Sequence, residues 1–283
     1  MTKNQMEITA RVLIDCDDAK GLVYQFSKVF FEKNLNIDSN HEFVDKESGR
    51  FFMRSVVSGV FDPQVLLEKL KDVASIYSNV KVILPKAKKI VILATKESHA
   101  LGDLLIRHAD GELDADIECV ISNHDVLERL VRRFDIPFVY IPAEEMEREE
   151  HEAYVMRFVN EFKFDYIVLA KYMRILTPTF VNAYPLKIIN IHHSFLPAFI
   201  GANPYKQAHE RGVKIIGATA HFVTDDLDEG PIIAQDVIGV NHRMGWKEMQ
   251  KAGRDVEKIV LSRALSYVLN DRVFVYGNKT VVF

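Results

Sequence analysis

From Lys89 to Ile191 the chain alternates short apolar runs with segments of helical period. KIVILAT, ADIECVISN, PFVYIP, DYIVLA and KIINI carry Val, Ile and Leu on consecutive positions; between them lie SHALGDLLIRHA, DVLERLVRRFD, EEMEREEHEAYVMRFVNEF and TPTFVNAY. Strands that are apolar at nearly every position are buried on both faces. The alternation therefore predicts α/β architecture: a doubly wound, mostly parallel sheet of Rossmann type, covered by helices. In such sheets ligands bind beyond the carboxyl ends of the strands. The last run, KIINI, leads into INIHHSFLP, so Asn190, His192, His193 and Ser194 stand where a site is expected. Further on, HFVTDDLDEGPIIAQDVIGV reads as strand–loop–strand and residues 246–270 as a long helix. Two short strands finish at Phe283.

The first part of the chain has a different rhythm. EITARVLID reads as a strand, and DAKGLVYQFSKVFFEKN as a helix with Leu22, Val23, Phe26, Val29 and Phe30 at helical spacing. LNIDSNHEFV and RFFMRSVVSGV read as strands joined by a turn at Ser48-Gly49. PQVLLEKLKDVAS is a helix opened by Pro63, and NVKVILP a fourth strand. The order βαββαβ is that of a ferredoxin-like domain. A short basic linker, Lys86-Ala87-Lys88-Lys89, separates the two rhythms, which predicts domains over 1–86 and 87–283.

Composition excludes several classes of function. The net charge is -4 and no strongly basic stretch occurs, which argues against a nucleic-acid partner. Cys16 and Cys119 are the only cysteines, too few for a disulfide framework or a zinc pattern, and this fits a reducing compartment. No apolar run approaches the roughly 20 residues of a membrane helix, and MTKNQMEITARV lacks an apolar targeting core. A cytoplasmic location is expected.

Residues 190 and 192 lie two apart, so on a strand both point to one face and His193 to the other. An amide donor and an imidazolium on one face can hold a developing oxyanion. A carboxylate nearby could keep the imidazole protonated and take a proton from a nucleophile. The loop TDDLDEG offers Asp225, Asp226, Asp228 and Glu229. A satisfied core histidine and a solvated acidic turn would carry the same letters, and His192, His193, His221 and Asp228 are all suitable metal ligands. Adjacent histidines on a strand diverge, however, and neither HxH nor HExxH is present. The residues alone point to an α/β enzyme with an acyl-type site.

INIHHSFLP, with HFVTDDLDEGPII after it, resembles the folate-dependent formyltransferases. That family has Asn-x-His at a strand end, a downstream His-Phe-Val-Thr and an Asp before Gly-Pro. DYIVLAKYMRILTP resembles its folate-pocket segment, and the likeness runs from about residue 88 to 265. The resemblance implies a catalytic trio of Asn190, His192 and Asp228. It implies a substrate pocket of Leu169, Met173, Arg174, Ile175, Leu176, Val223 and Thr224, supported by His221, Ser194 and Gly230. Gly201 and Gly230 would let loops close over the pterin, although ordinary turn glycines are the favoured reading of both. SHALGDLL, ISNHD, IPFVYIPA, HRMGWKEMQKAGRDVEK and the terminal GNKTVVF are similar to the formyltetrahydrofolate deformylase family, in which the N-terminal half is an ACT domain, a small-ligand module.

That resemblance implies hydrolysis of 10-formyltetrahydrofolate to tetrahydrofolate and formate, supplying formate for purine synthesis and balancing one-carbon folate pools. It implies no metal and no cofactor, a small effector such as an amino acid at the ACT domain, and a homo-oligomer. One departure bears on the acceptor. Formyltransferases that use a phosphorylated amine carry a Gly-rich loop after the first strand, where backbone N–H groups cradle phosphate. Here the loop is ATKESHALGD, with no glycine before Gly102. Glu97 adds negative charge, and His99 either fills the space or simply opens the helix. The alternatives are formyl transfer to an amine such as glycinamide ribonucleotide, or a non-catalytic folate or amino-acid sensor.

Overall fold

The computed structural model describes residues 7–74, 78–198 and 203–283, which form two compact units. The first contains β1 (Ile8–Asp17), α1 (Leu22–Glu32), β2 (Asn36–Asp45), β3 (Arg50–Gly59), α2 (Pro63–Val73) and β4 (Asn79–Ile83). Its sheet order is β2-β3-β1-β4, antiparallel throughout, as the βαββαβ reading requires. Asp62 caps α2 by accepting from Gln64 N at 2.8 Å, with Pro63 at the first helical position. Strand periodicity splits β3: Phe51 and Met53 join Phe26, Phe30, Leu66 and Leu70 in the core, while Phe52 and Arg54 face the other way.

That other face is also covered, by residues far along the chain. Asp271–Phe274 and Val281–Phe283 belong to the first unit rather than to the second. Arg11 Nη1 lies 2.9 Å from Asp271 Oδ2, buried Arg54 donates to the Asp271 carbonyl, and the Phe52 and Phe274 rings meet edge to face with centroids 5.7 Å apart. The division at residue 86 therefore leaves out these C-terminal residues.

The second unit, Ala87–Asn270 with Val275–Thr280, holds β5 (Lys88–Ala94), α3 (His99–Ala109), β6 (Ala115–Ser122), α4 (Glu128–Val131), β7 (Phe138–Tyr140), α5 (Arg148–Val159), β8 (Tyr166–Ala170), α6 (Pro178–Ala183), β9 (Ile188–His192), α7 (Pro204–Glu210), β10 (Ile215–Phe222), β11 (Ile232–Gly239) and α8 (Trp246–Leu269). A terminal ribbon pairs β12 (Val273–Tyr276) with β13 (Lys279–Val282). The sheet order is β11-β10-β9-β8-β5-β6-β7, parallel from β9 through β7 and antiparallel at β10 and β11. Ile90 to Ala94 are all fully buried, as expected of a strand covered on both faces.

Three local expectations change. Lys88 and Lys89 belong to β5, not to a linker. The helix expected over DVLERLVRRFD shrinks to one turn of α4 and a 3-10 turn, Arg132–Phe134. Asp135 then turns left-handed (φ 57°), and the following Ile136 precedes Pro137, where helical backbone is disfavoured. Strand β10 starts at Ile215, six residues before the HFV run that announced it. No helix among the described residues is long and apolar enough to cross a membrane.

Candidate active site

Strand β9 delivers Asn190 and His192, and β10 runs antiparallel to it with His221 directly opposite Asn190 and Thr219 opposite His192. The pairing places Asn190 Nδ2 3.2 Å from His221 Nε2. His221 Nδ1 lies 2.9 Å from the Phe222 carbonyl, which can only accept, so Nδ1 carries the proton and Nε2 accepts from Asn190. Burial pushes the His221 pKa down, which keeps the ring neutral in this role. The consequence is a fixed amide: one Asn190 N–H is held by His221, and among the described residues the other N–H and the oxygen have no partner and are open to a ligand.

Beyond β10 the chain loops back. Asp228 takes a left-handed conformation (φ 58°), uncommon for a residue with a side chain. There its Oδ1 lies 3.2 Å from His192 Nδ1 and 3.8 Å from His221 Nε2. Burial raises the Asp228 pKa, but the hydrogen bond and charge of His192 outweigh it and hold the carboxyl below its ordinary range. His192 is buried, and its Nε2 has no hydrogen-bond partner among the described residues. Buried polar atoms are rarely left unpaired, so this nitrogen is the natural contact for a reacting group.

These side chains line a cavity of about 320 Å³. Leu169, Met173, Arg174, Ile175, Leu176, Val223 and Thr224 line it together with Asn190, His192, His221 and Asp228, so the structure gathers the expected trio and the whole expected pocket. Lys171 and Tyr172 also line it; sequence reasoning passed them over. The segment from 171 to 176 is pinned at three points. Lys171 turns left-handed (φ 60°) and its ammonium meets Glu257 at 3.5 Å. Met173 N donates to Thr95 Oγ1 at 3.0 Å. Thr177, which caps α6, donates N–H to the buried Glu152 carboxylate at 3.0 and 3.1 Å. Glu152 sits in the acidic run before AYV, within the segment read only as a helix.

Two of the supporting residues stand outside the cleft lining. Ser194 is absent from the cleft: its hydroxyl donates to the Ala198 carbonyl at 2.8 Å and its own carbonyl accepts from Thr219, so it shapes the turn after β9. Gly230 is buried under β10 and not poised over the cavity. A Cβ there would fall inside contact distance of the Phe222 carbonyl oxygen and 2.9 Å from its carbon. Gly201 lies outside the described residues.

His193 follows the last residue of β9, so the divergence expected of neighbours on a strand does not occur: its ring centroid lies 5.2 Å from that of His192. Its pKa is pushed down to about 4, by burial first and then by the charge of Lys171. An unfolded histidine titrates near 6.5. Between those values the unfolded chain binds more protons, so stability falls as pH falls from about 6.5 to 4. Thermal unfolding at pH 7 and pH 5 should show a drop that His193→Asn flattens, on the order of 2 kcal/mol at most. An equal pH dependence in the variant would assign the loss to other groups.

His192, His193, His221 and Asp228 do not converge on a point. His221 Nε2 already accepts from Asn190, His192 Nδ1 is held by Asp228, and no group of three potential ligands with metal-holding geometry occurs among the described residues.

A formyl transferase family model matches residues 88–265, and an ACT domain model matches residues 10–75. The formyltetrahydrofolate deformylase of Haemophilus influenzae is 54% identical over 271 residues, covering 96% of this chain and 98% of that protein. The crystal structure of a formyltetrahydrofolate deformylase from Pseudomonas syringae pv. tomato matches with a TM-score of 0.93 at 44% identity, over 99% of this chain and 95% of the other. Glycinamide ribonucleotide transformylase 1 from Symbiobacterium toebii matches with a TM-score of 0.66 at 29% identity, covering 94% of its own chain but only 69% of this one. The deformylase likeness runs through both halves and not the formyl transferase half alone, and the chain belongs to the formyltetrahydrofolate deformylase family.

Proposed function

We propose that this site hydrolyses 10-formyltetrahydrofolate to tetrahydrofolate and formate. The observation that carries the reading is the convergence of Asn190, His192 and Asp228 in a cleft whose walls are otherwise largely apolar. Leu169, Met173, Ile175, Leu176 and Val223 offer the pterin an apolar slot, with Arg174 and Thr224 as polar contacts. Water attacks the formyl carbon. The free Asn190 N–H and the Nε2–H of the His192 imidazolium hold the oxyanion of the tetrahedral intermediate. Asp228 balances the imidazolium charge and relays the proton from water to the departing folate nitrogen. That nitrogen is aniline-like, so it leaves more readily than a simple amine. No metal or redox cofactor enters the scheme.

The ACT domain would take a small effector such as an amino acid, or pair with a second copy in a homo-oligomer. In a cell the reaction would run in the cytoplasm, yield formate for purine synthesis and adjust one-carbon folate pools. The test is direct. The protein alone should release formate from 10-formyltetrahydrofolate with no added amine, and glycinamide ribonucleotide should not raise the rate. Formyl transfer to that amine faster than hydrolysis would make the protein a transferase, and neither product would leave the sensor reading.

A further inference from the structure

A second cavity, of about 260 Å³, adjoins the folate cleft and shares Lys171, Met173 and His193 with it. Its floor is the carboxylate of Glu257, 1% exposed in the middle of α8. Three donors converge on it. His99 Nε2 lies 2.8 Å from Oε2, the Tyr205 hydroxyl donates to Oε1 at 2.6 Å, and Lys171 Nζ lies 3.5 Å from Oε2. Burial raises the Glu257 pKa, but the His99 bond, the Lys171 charge and the Tyr205 bond overturn that and hold it at about 2. The backbone is cut to suit. Gly253 lies one turn before Glu257 on the same face of α8, and a Cβ there would collide with the Tyr205 ring and hydroxyl. His99, 12% exposed, opens α3, and its Nδ1 faces Glu97 Oε2 at 3.4 Å, which also meets Arg254 Nε at 3.3 Å.

The position of this network matters because of what the reaction needs. When a pterin fills the folate cleft, the nucleophile must reach the formyl carbon from elsewhere, and formate must leave without waiting for folate. The second cavity joins the first at Lys171 and His193, beside His192. A buried carboxylate could grip the hydroxyl or ammonium groups of an amine acceptor, since it offers about four lone-pair positions. Here three are taken by the protein's own donors. The N-terminus of α3, where a phosphate could otherwise settle, is filled by the His99 imidazole and edged by the Glu97 carboxylate.

We propose that the network of His99, Glu257 and Tyr205 decides the acceptor: it fills the acceptor side of the formyl centre, so that the second cavity passes water inward and formate outward and excludes a phosphorylated amine. His99 and Glu257 are then specificity-determining residues, acting by occupying ligand positions and not by touching the reacting atoms. The inference rests on the deformylase reading.

The experiment is a partition measurement. Each protein is given 10-formyltetrahydrofolate with hydroxylamine or with glycinamide ribonucleotide, and formate and N-formyl product are counted. In either transfer the new C–N bond replaces the bond to the folate nitrogen, and the proton lost by the amine goes to that nitrogen. Wild type should formylate hydroxylamine, which is small and uncharged, but not the ribonucleotide. His99→Gly opens the pocket and frees Glu257, and should raise the ratio of transfer to hydrolysis for the ribonucleotide by about tenfold or more. Tyr205→Phe, which removes one donor to Glu257 with little change of volume, should raise it less and in the same direction. If His99→Gly does not fold, Tyr205→Phe and the wild-type selectivity decide. An unchanged ratio in the folded variants, or wild-type transfer to the ribonucleotide as readily as to hydroxylamine, overturns the inference. Absence of formate release by wild type overturns instead the reading on which it rests.

Discussion

Asp228→Asn is expected to leave the chain folded and to lower formate release by about 10²–10⁴-fold, the usual loss of an acid–base partner. The substitution isolates charge. Its left-handed backbone (φ 58°) suits Asn at least as well as Asp, so no strain is added. The amide oxygen can still accept from His192 Nδ1, which holds the ring in place at about the present 3.2 Å. What disappears is the negative charge that favours the His192 imidazolium and the base that relays the proton. The depressed pKa of Asp228 adds a pH signature. A carboxyl held below its ordinary range contributes stability that is complete above that range and lost as pH falls through the depressed value. The wild type should therefore keep this pairing in mild acid, and the variant should show no stability term there. Formate release and thermal unfolding, measured side by side, check both parts. Turnover at the wild-type rate would place the base elsewhere.

The parallel sheet was legible because its strands are apolar at successive positions, which only a strand covered on both faces tolerates. The Asn190–His192 face was legible because strand period is two. The identity of the carboxylate was not, since Asp225, Asp226, Asp228 and Glu229 are equivalent as letters. In the folded loop Asp225 is turned toward Asn182 Nδ2 at 3.0 Å and the Glu229 carbonyl is held by Asn278 Nδ2 at 2.7 Å, while the left-handed turn at Asp228 aims its side chain at His192. Only the likeness to a family singled it out beforehand. Glu152 and Glu257 were missed for a common reason: in EREEHEAYV and GRDVEKIV a glutamate among charges looks solvated, and burial depends on partners distant in sequence. A weak signal did exist at Gly253, one turn before Glu257, because a glycine inside a long helix marks a close approach. The cover of the first sheet by Phe274 and Phe283 was equally invisible, since a terminal hairpin pattern does not say which sheet it will rest on.

Gly230→Ala should damage both stability and turnover, although Gly230 does not line the cleft. Gly230 has no need of an unusual backbone angle; what it provides is absence of volume. The added Cβ would press on the Phe222 carbonyl, and backbone atoms cannot swing aside as a side-chain tip does. The two segments are also tied together, since Phe222 N donates to the Pro231 carbonyl at 2.9 Å, directly beside the clash. Relief must come from lifting the loop that carries Asp228, two residues earlier. A shift of about 1 Å in a catalytic group can cost 10²-fold in rate, and the strained packing falls among the large-effect core changes of about 4 kcal/mol or more. Thermal unfolding should drop well below wild type, and formate release per folded molecule should fall by at least about 10²-fold. His221 offers an internal control: its Nδ1 is bonded to that same Phe222 carbonyl at 2.9 Å, so its ring resonances should move in the variant. Wild-type activity with an unshifted His221 would mean that the loop absorbs the methyl group without moving Asp228, and that the close approach at Gly230 does not position the carboxylate.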